Sequence, residues 1–146
     1  MITYQLVDRE RDFEFARLVH HTAYHDVVVR QFGAWNESMQ DEFFKAAWRD
    51  FPHYLASRDD VVVGIVSYIE RGNTIHINEV QILPHYQGQG IGTTFLTERI
   101  DEARHRKIPL TLQVLRENRA IELYRRLGFV QYGKSDTHIK MEWRTL

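Results

Sequence analysis

A chain of 146 residues, 43% apolar and 27% charged, has the size and composition of one globular domain with its own core. Its net charge of −1 leaves no basic footprint for nucleic acid, and its longest apolar runs are too short to cross a bilayer. The absence of cysteine excludes a disulfide framework, a thiolate nucleophile and a zinc–thiolate site. The N-terminal Met-Ile-Thr-Tyr-Gln-Leu has no charged segment followed by an apolar one, so no secretion signal is expected and the cytoplasm is the expected compartment.

Ile2, Tyr4 and Leu6 alternate with Thr3 and Gln5, which predicts a half-exposed first strand. From about residue 12 the period becomes helical, with Phe15, Leu18, Val19 and Ala23 read as the buried face and His20, His21, Tyr24 and His25 on the later half. Gly33 and its neighbours break that helix. Asn36 or Ser38 caps a second one, whose buried stripe is read as Met39, Phe43, Ala46 and Ala47. Strands at 53–57, 61–70 and 74–83, joined by hairpin turns, form an antiparallel meander. Pro84 ends the third of these, because it cannot donate to a ladder. A helix over 93–104 carries Leu96, Ile100 and Ala103 at helical spacing. The strand at 110–115 must then run parallel to 74–83, since a helical crossover joins them. A helix at 118–127 stops at Gly128, and strands at 129–132 and 137–143 complete the chain. The order βααβββαβαββ predicts an α+β fold in a single domain over 1–146. Its sheet is mixed, mostly antiparallel and seven-stranded, flanked by about four helices. The two adjacent parallel strands can splay at their C-terminal ends, a place ligands favour.

Between strand and helix lies Gln87-Gly88-Gln89-Gly90-Ile91-Gly92. Glycines at alternate positions let successive N–H groups face an anion at a helix N-terminus, which suits a phosphate or pyrophosphate. A P-loop needs Gly-Lys-Ser/Thr here, and no lysine is present. The dinucleotide fingerprint fails as well, because Thr93 stands where its third glycine or alanine belongs.

The turn instead resembles the Gln/Arg-x-x-Gly-x-Gly/Ala motif of the GCN5-related N-acetyltransferases (GNAT), met by Gln87, Gly90 and Gly92. Val80-Gln81-Ile82-Leu83-Pro84 before it, and Asn118, Leu123-Tyr124 and Leu127-Gly128-Phe129 after it, resemble that superfamily in the same order. The resemblance implies acetyl-CoA as cosubstrate and an amine-bearing acceptor; no metal is expected. It implies a cofactor site of Val80, Gln81, Ile82, Gln87, Gly88, Gln89, Gly90, Ile91, Gly92, Thr93, Asn118 and Tyr124. It also implies Tyr124 as the acid that protonates the departing thiolate and Glu79 as the general base. Val80 and Ile82 are expected to pair through their backbone with the pantetheine arm like an added strand.

Several of these residues have a second reading. In a regular strand Glu79 shares a face with Ile75, Ile77 and Gln81, which looks buried, and a β-bulge is needed to re-aim it. Glu79 is otherwise a structural or acceptor-binding carboxylate, with His76, on the opposite face, as reserve base. Tyr124 also fits a packing stripe with Ala120, Leu123 and Leu127. Asn118 also fits the N-cap of its helix. His21 and His25 stand one helical turn apart, the spacing of two metal ligands, but no carboxylate or H-E-x-x-H follows at a useful offset. The acceptor is expected between the first two helices and the late strands, near Tyr24, Trp35, Phe43, Phe44, Trp48, His20, His21 and Asp41. The function expected is direct acetyl transfer from acetyl-CoA to a primary amine; the competing expectation is a non-catalytic acyl-CoA-binding module on the same fold. Neither nucleic acid nor membrane is expected as a partner, and a homodimer through the C-terminal strands fits the reading.

Overall fold

The computed structural model describes residues 1–145. The chain runs β1 (Ile2–Leu6), α1 (Phe13–Phe32), α2 (Glu37–Asp50), β2 (His53–Arg58), β3 (Val61–Arg71), β4 (Thr74–Ile82), a 3₁₀ turn (Pro84–Tyr86), α3 (Ile91–Arg106), β5 (Leu110–Leu115), α4 (Ala120–Arg126), β6 (Val130–Lys134) and β7 (His138–Trp143). All seven strands join one sheet in the order β1-β2-β3-β4-β5-β7-β6. Every pairing is antiparallel except β4 with β5. This is the expected α+β architecture. Among the described residues no helix is long and apolar enough to cross a membrane.

Each face of the sheet buries its own core. Ile75, Ile77, Leu110 and Leu112 pack on one face against Phe95, Leu96 and Ile100 of α3 and Ile121 and Tyr124 of α4. On the other, Ile65 packs with Ala16 and Val19 of α1 and Phe44 and Trp48 of α2. The α3 stripe is as expected, with Leu96, Ile100 and Ala103 buried. The stripes of α1 and α2 are rotated from expectation. In α1 the inward residues are Ala16, Val19, His20, His21, Val27 and Val28, while Phe15 and Leu18 are exposed. In α2 they are Gln40, Phe44 and Trp48, while Met39 and Phe43 are exposed. The physical reason is common to both. Polar side chains occupy inward positions, so a pattern read from apolar residues alone settles on the wrong face. Asn36 caps α2 as expected, its side chain accepting from the Met39 N–H at 2.9 Å.

Two irregularities interrupt the centre of the sheet. β4 and β5 pair only over Ile75↔Leu110, His76↔Thr111 and Ile77↔Leu112; beyond that seam they part. Opposite the same point, the β3–β4 register slips: Ser67 pairs with Glu79 but Tyr68 pairs with Ile77, leaving Asn78 as a bulge. The slip reverses the alternation. Ile77 and Val80 both face the α3 core, and Glu79 faces α1 and α2.

Close to this region β3 carries Gly64, where an added Cβ would lie 2.3 Å from the Gln81 carbonyl oxygen. That partner is backbone and cannot swing away. Gly64→Ala is expected to destabilise the protein by about 2–3 kcal/mol, lowering Tm by roughly 5–10 °C. A thermal melt checks this, and an unchanged Tm would mean the two strands part freely.

Candidate active site

Where β4 and β5 separate, a cavity of about 700 Å³ opens between the sheet and the α1–α2 pair. Ile77, Asn78, Glu79, Val80 and Gln81 line it from β4, Leu112 to Leu115 from β5, and Asn118 and Tyr124 from the α4 segment. His20, Tyr24, Gln40, Phe43 and Phe44 line the helical side. The seam therefore ends at the cavity, and the bulge at Asn78 turns Glu79 into it. The parity problem in the sequence is resolved by one extra residue. The same slip leaves His76 on the Glu79 side of the sheet rather than opposite, where its Nδ1 lies 2.9 Å from Thr111 Oγ1.

The Glu79 side chain is 8% exposed and stands between two imidazoles, with Oε1 3.1 Å from His20 Nε2 and Oε2 3.3 Å from His53 Nε2. Burial pushes its carboxyl up, but His20 and His53 outweigh burial and hold it below the ordinary range. Burial also lowers His20, more than the adjacent carboxylate raises it. A neutral His20 weakens its own pull on Glu79. His53 and Gln81 also pull the carboxyl down. His53 Nδ1 faces the Phe51 carbonyl at 3.0 Å, and a carbonyl only accepts, so this nitrogen carries a hydrogen. Glu79 is thus an ionised base with imidazole Nε2 atoms on both sides. His53 carries no signal of this role in the sequence, where it reads only as the start of a strand. It is β2–β3–β4 register that brings it to Glu79.

Tyr124 lies across the same cavity on α4. Burial alone pushes its phenol up to about 12, which keeps it protonated and able to donate. The N-cap of α4 is Arg119 rather than Asn118; Asn118, one residue earlier, accepts from the Ala120 N–H through its Oδ1 at 2.9 Å and lines the cavity. Gly128 holds φ +102 and closes α4, its N–H reaching the Arg125 carbonyl.

The glycine-rich turn is a separate wall at the end of β4. Gly88 and Gly90 adopt φ +75 and +81, the left-handed region that glycine enters without strain. The Gln87 side chain donates to the Ile82 carbonyl at 2.9 Å, and Gln89 to His85 at 3.2 Å, so both amides tie the turn to the chain before it. Helix α3 begins at Ile91 with no capping side chain and no acid in its first turn. The first N–H groups of a helix lack intrahelical partners, and here they come with a positive dipole end suited to an anion. Gln87 to Thr93 are not among the cavity-lining residues, whereas Glu79, Val80, Gln81, Asn118 and Tyr124 are.

The histidines of α1 do different things. His25 turns to Asp26 at the surface. His21 meets Asp41 at 2.7 Å, and Glu37 completes a group whose ligand atoms lie within 4.8 Å of one another. Arg17 already places a guanidinium there, 2.7 Å from Asp41 and 2.6 Å from Glu37, and supplies positive charge to both carboxylates.

Comparison with known proteins bears on this arrangement. Residues 20–129 match the Acetyltransferase (GNAT) family model. An uncharacterised N-acetyltransferase of Methanocaldococcus jannaschii is 39% identical over 66 residues, which is 44% of this chain and 29% of that longer protein. The fold is similar to that of the PaiA N-acetyltransferase of Thermoplasma acidophilum, solved in complex with coenzyme A, with TM-score 0.79, 18% identity and 99% of each chain covered. It is also similar to the ribosomal-protein-S18-alanine N-acetyltransferase of Escherichia coli, with TM-score 0.68, 21% identity and coverage of 99% and 94%. Three quarters of the sequence falls within the family match, and a strand seam that opens beside a glycine-rich helix start accompanies it: this chain belongs to the GNAT family of acetyltransferases.

Proposed function

We propose that the protein transfers the acetyl group of acetyl-CoA to a primary amine by direct attack in a ternary complex. The observation that carries this reading is one cavity, opened by the parting of β4 and β5, that holds an ionised carboxylate and a protonated phenol, Glu79 and Tyr124. A lysine-like amine has a solution pKa of about 10.4, so it arrives as an ammonium ion and must lose a proton before it attacks. Glu79, directly or through a water, accepts that proton. The neutral amine forms the C–N bond at the thioester carbonyl, and in this reading a backbone N–H of Val80 or Ile82 stabilises the oxyanion. The C–S bond then breaks and Tyr124 gives its proton to the departing thiolate. The unpaired amides at the start of α3 fit the cosubstrate's pyrophosphate, and the free edge of β4 fits its pantetheine arm. A chain without cysteine has no thiol for an acyl-enzyme intermediate, which favours direct transfer.

The cavity mouth favours an acceptor whose amine sits on an apolar body. Phe32, Met39 and Phe43 line it although each is more than half exposed, and Glu79 is the one carboxylate among the described lining residues. A polycation gains little from such a wall.

Calorimetric titration with acetyl-CoA, with ATP and NAD as controls, followed by turnover with aromatic monoamines, polyamines and peptides, tests the reading. Binding of acetyl-CoA without turnover of any amine would favour a non-catalytic acyl-CoA-binding module. Tyr124→Phe is expected to lower kcat by roughly 10–100-fold, within the range of acid–base catalysis, with acetyl-CoA affinity unchanged. Full activity in that variant would remove Tyr124 as the acid.

A further inference from the structure

We propose that Glu79, His20, His21 and Asp41 form a proton relay that carries the amine's proton from the cavity to the surface of α2. Its catalytic use rests on the acetyl-transfer reading. Three contacts make the chain continuous: Glu79 Oε1 to His20 Nε2 at 3.1 Å, His20 Nδ1 to His21 Nδ1 at 2.9 Å, and His21 Nε2 to Asp41 Oδ1 at 2.7 Å. The middle contact decides its character. Two bare imidazole nitrogens at that distance repel, so a hydrogen lies between them and the two rings share it. The side chains of Glu79, His20 and His21 are about one-tenth exposed, and that of Asp41 is 24% exposed, so the chain leads from inside to outside.

The balance is one proton and no electrons. An ammonium acceptor loses two N–H protons on becoming an amide; one ends on the coenzyme A thiol and one must leave the protein. At rest the two ring hydrogens occupy the His20–His21 and His21–Asp41 contacts, and His20 Nε2 is bare. The proton that Glu79 takes from the amine fills the Glu79–His20 contact and passes to His20 Nε2. The hydrogen on His20 Nδ1 moves to His21 Nδ1, and that on His21 Nε2 moves to Asp41, which sheds it to water. Each imidazole then returns to its starting tautomer by ring rotation or exchange with solvent.

Titratable and charged groups flank the chain along its length. Tyr24 of α1 and His53 of β2 flank His20 beside Glu79. Around His21 stand Asp41 and, at 3.9 Å, Glu37 of α2, with Arg17 of α1 bonded to both carboxylates. The bond from Arg17, then that from His21, holds the Asp41 carboxyl down at about 2, so Asp41 does not retain a proton.

Side-chain ¹⁵N NMR of histidine-labelled protein tests the coupling without any substrate. Glu79→Gln is expected to shift the ring nitrogens of His21, which does not touch Glu79, and Asp41→Asn to shift those of His20. Independent titration, with each variant moving only its direct neighbour, would overturn the relay. In turnover, His21→Phe keeps a ring against Trp35 and Phe44 and is expected to lower kcat roughly tenfold, less than the ~10² expected for losing a general base. Added imidazole should restore part of it, and acetyl-CoA affinity should hold. If that variant fails to fold, Asp41→Asn gives the same readout. Wild-type kcat would overturn the catalytic use of the chain. Failure of the wild-type protein to bind acetyl-CoA would instead overturn the acetyl-transfer reading, and the NMR result would still decide whether the four groups are coupled.

Discussion

Glu79→Gln is expected to lower kcat/KM about 100-fold or more at pH 7, the usual loss when a positioned base is removed. It should also change the shape of the pH profile. Without the base, the rate follows the fraction of acceptor that is already neutral. For an amine of pKa ~10.4 that fraction is about 1 in 2,500 at pH 7 and rises tenfold per pH unit. The variant should therefore climb with unit slope toward alkaline pH and approach wild type near pH 10. The wild-type profile should be flatter, because its carboxylate, held below the ordinary range by its two imidazole neighbours, is ionised throughout. Glutamine is nearly isosteric and keeps an acceptor beside His20 and His53, so the fold and acetyl-CoA affinity serve as controls. Parallel profiles for the two proteins would make Glu79 a structural carboxylate.

The second large effect concerns the start of α3. Gly92→Glu is expected to weaken acetyl-CoA binding by about two orders of magnitude while leaving Tm unchanged or raised. Gly92 is the right position because it has no positive φ, and an added Cβ would meet only Val80 Cγ1, at 4.0 Å. At Gly90, by contrast, φ is +81, and any side chain would strain the backbone as well as meet the ligand. A first-turn glutamate favours the helix dipole, and this turn has no acid of its own. The same charge opposes a pyrophosphate. Two unit charges ~5 Å apart at an effective dielectric of ~20 repel by about 3 kcal/mol, roughly a hundredfold in Kd. Gly92→Gln separates charge from bulk, since it should bind far better than the glutamate variant. Equal affinities for wild type and Gly92→Glu would remove the pyrophosphate from this turn.

What can be read from the sequence divides along a physical line. The strand, turn and helix around Gln87 to Gly92 are legible because proline and glycine act through local backbone geometry, and α3 because its inward residues are all apolar. The parallel seam comes from topology, since a helix between two strands fixes their direction. The inward faces of α1 and α2 are misread because His20, His21 and Gln40 occupy core positions, and apolar periodicity passes over them. The aim of Glu79 is out of reach, because a bulge is set by the partner strand, here at Ser67 and Tyr68. For the same reason His53 has no signal at all. Its meeting with Glu79 spans 26 positions and exists only once three strands are in register.

The parting of β4 from β5 also bears on the protein's behaviour in a crowded solution. Most sheets expose raw edges only at their two ends, and such edges invite pairing with other molecules. This one has a further edge in its interior: Glu79 to Ile82 pair with β3 on one side and with no strand on the other among the described residues. That inner edge opens into the cavity between the sheet and the α1–α2 pair. A strand of another molecule must enter that cavity to pair with it, which sets this edge apart from the outer strands at the two ends of the sheet.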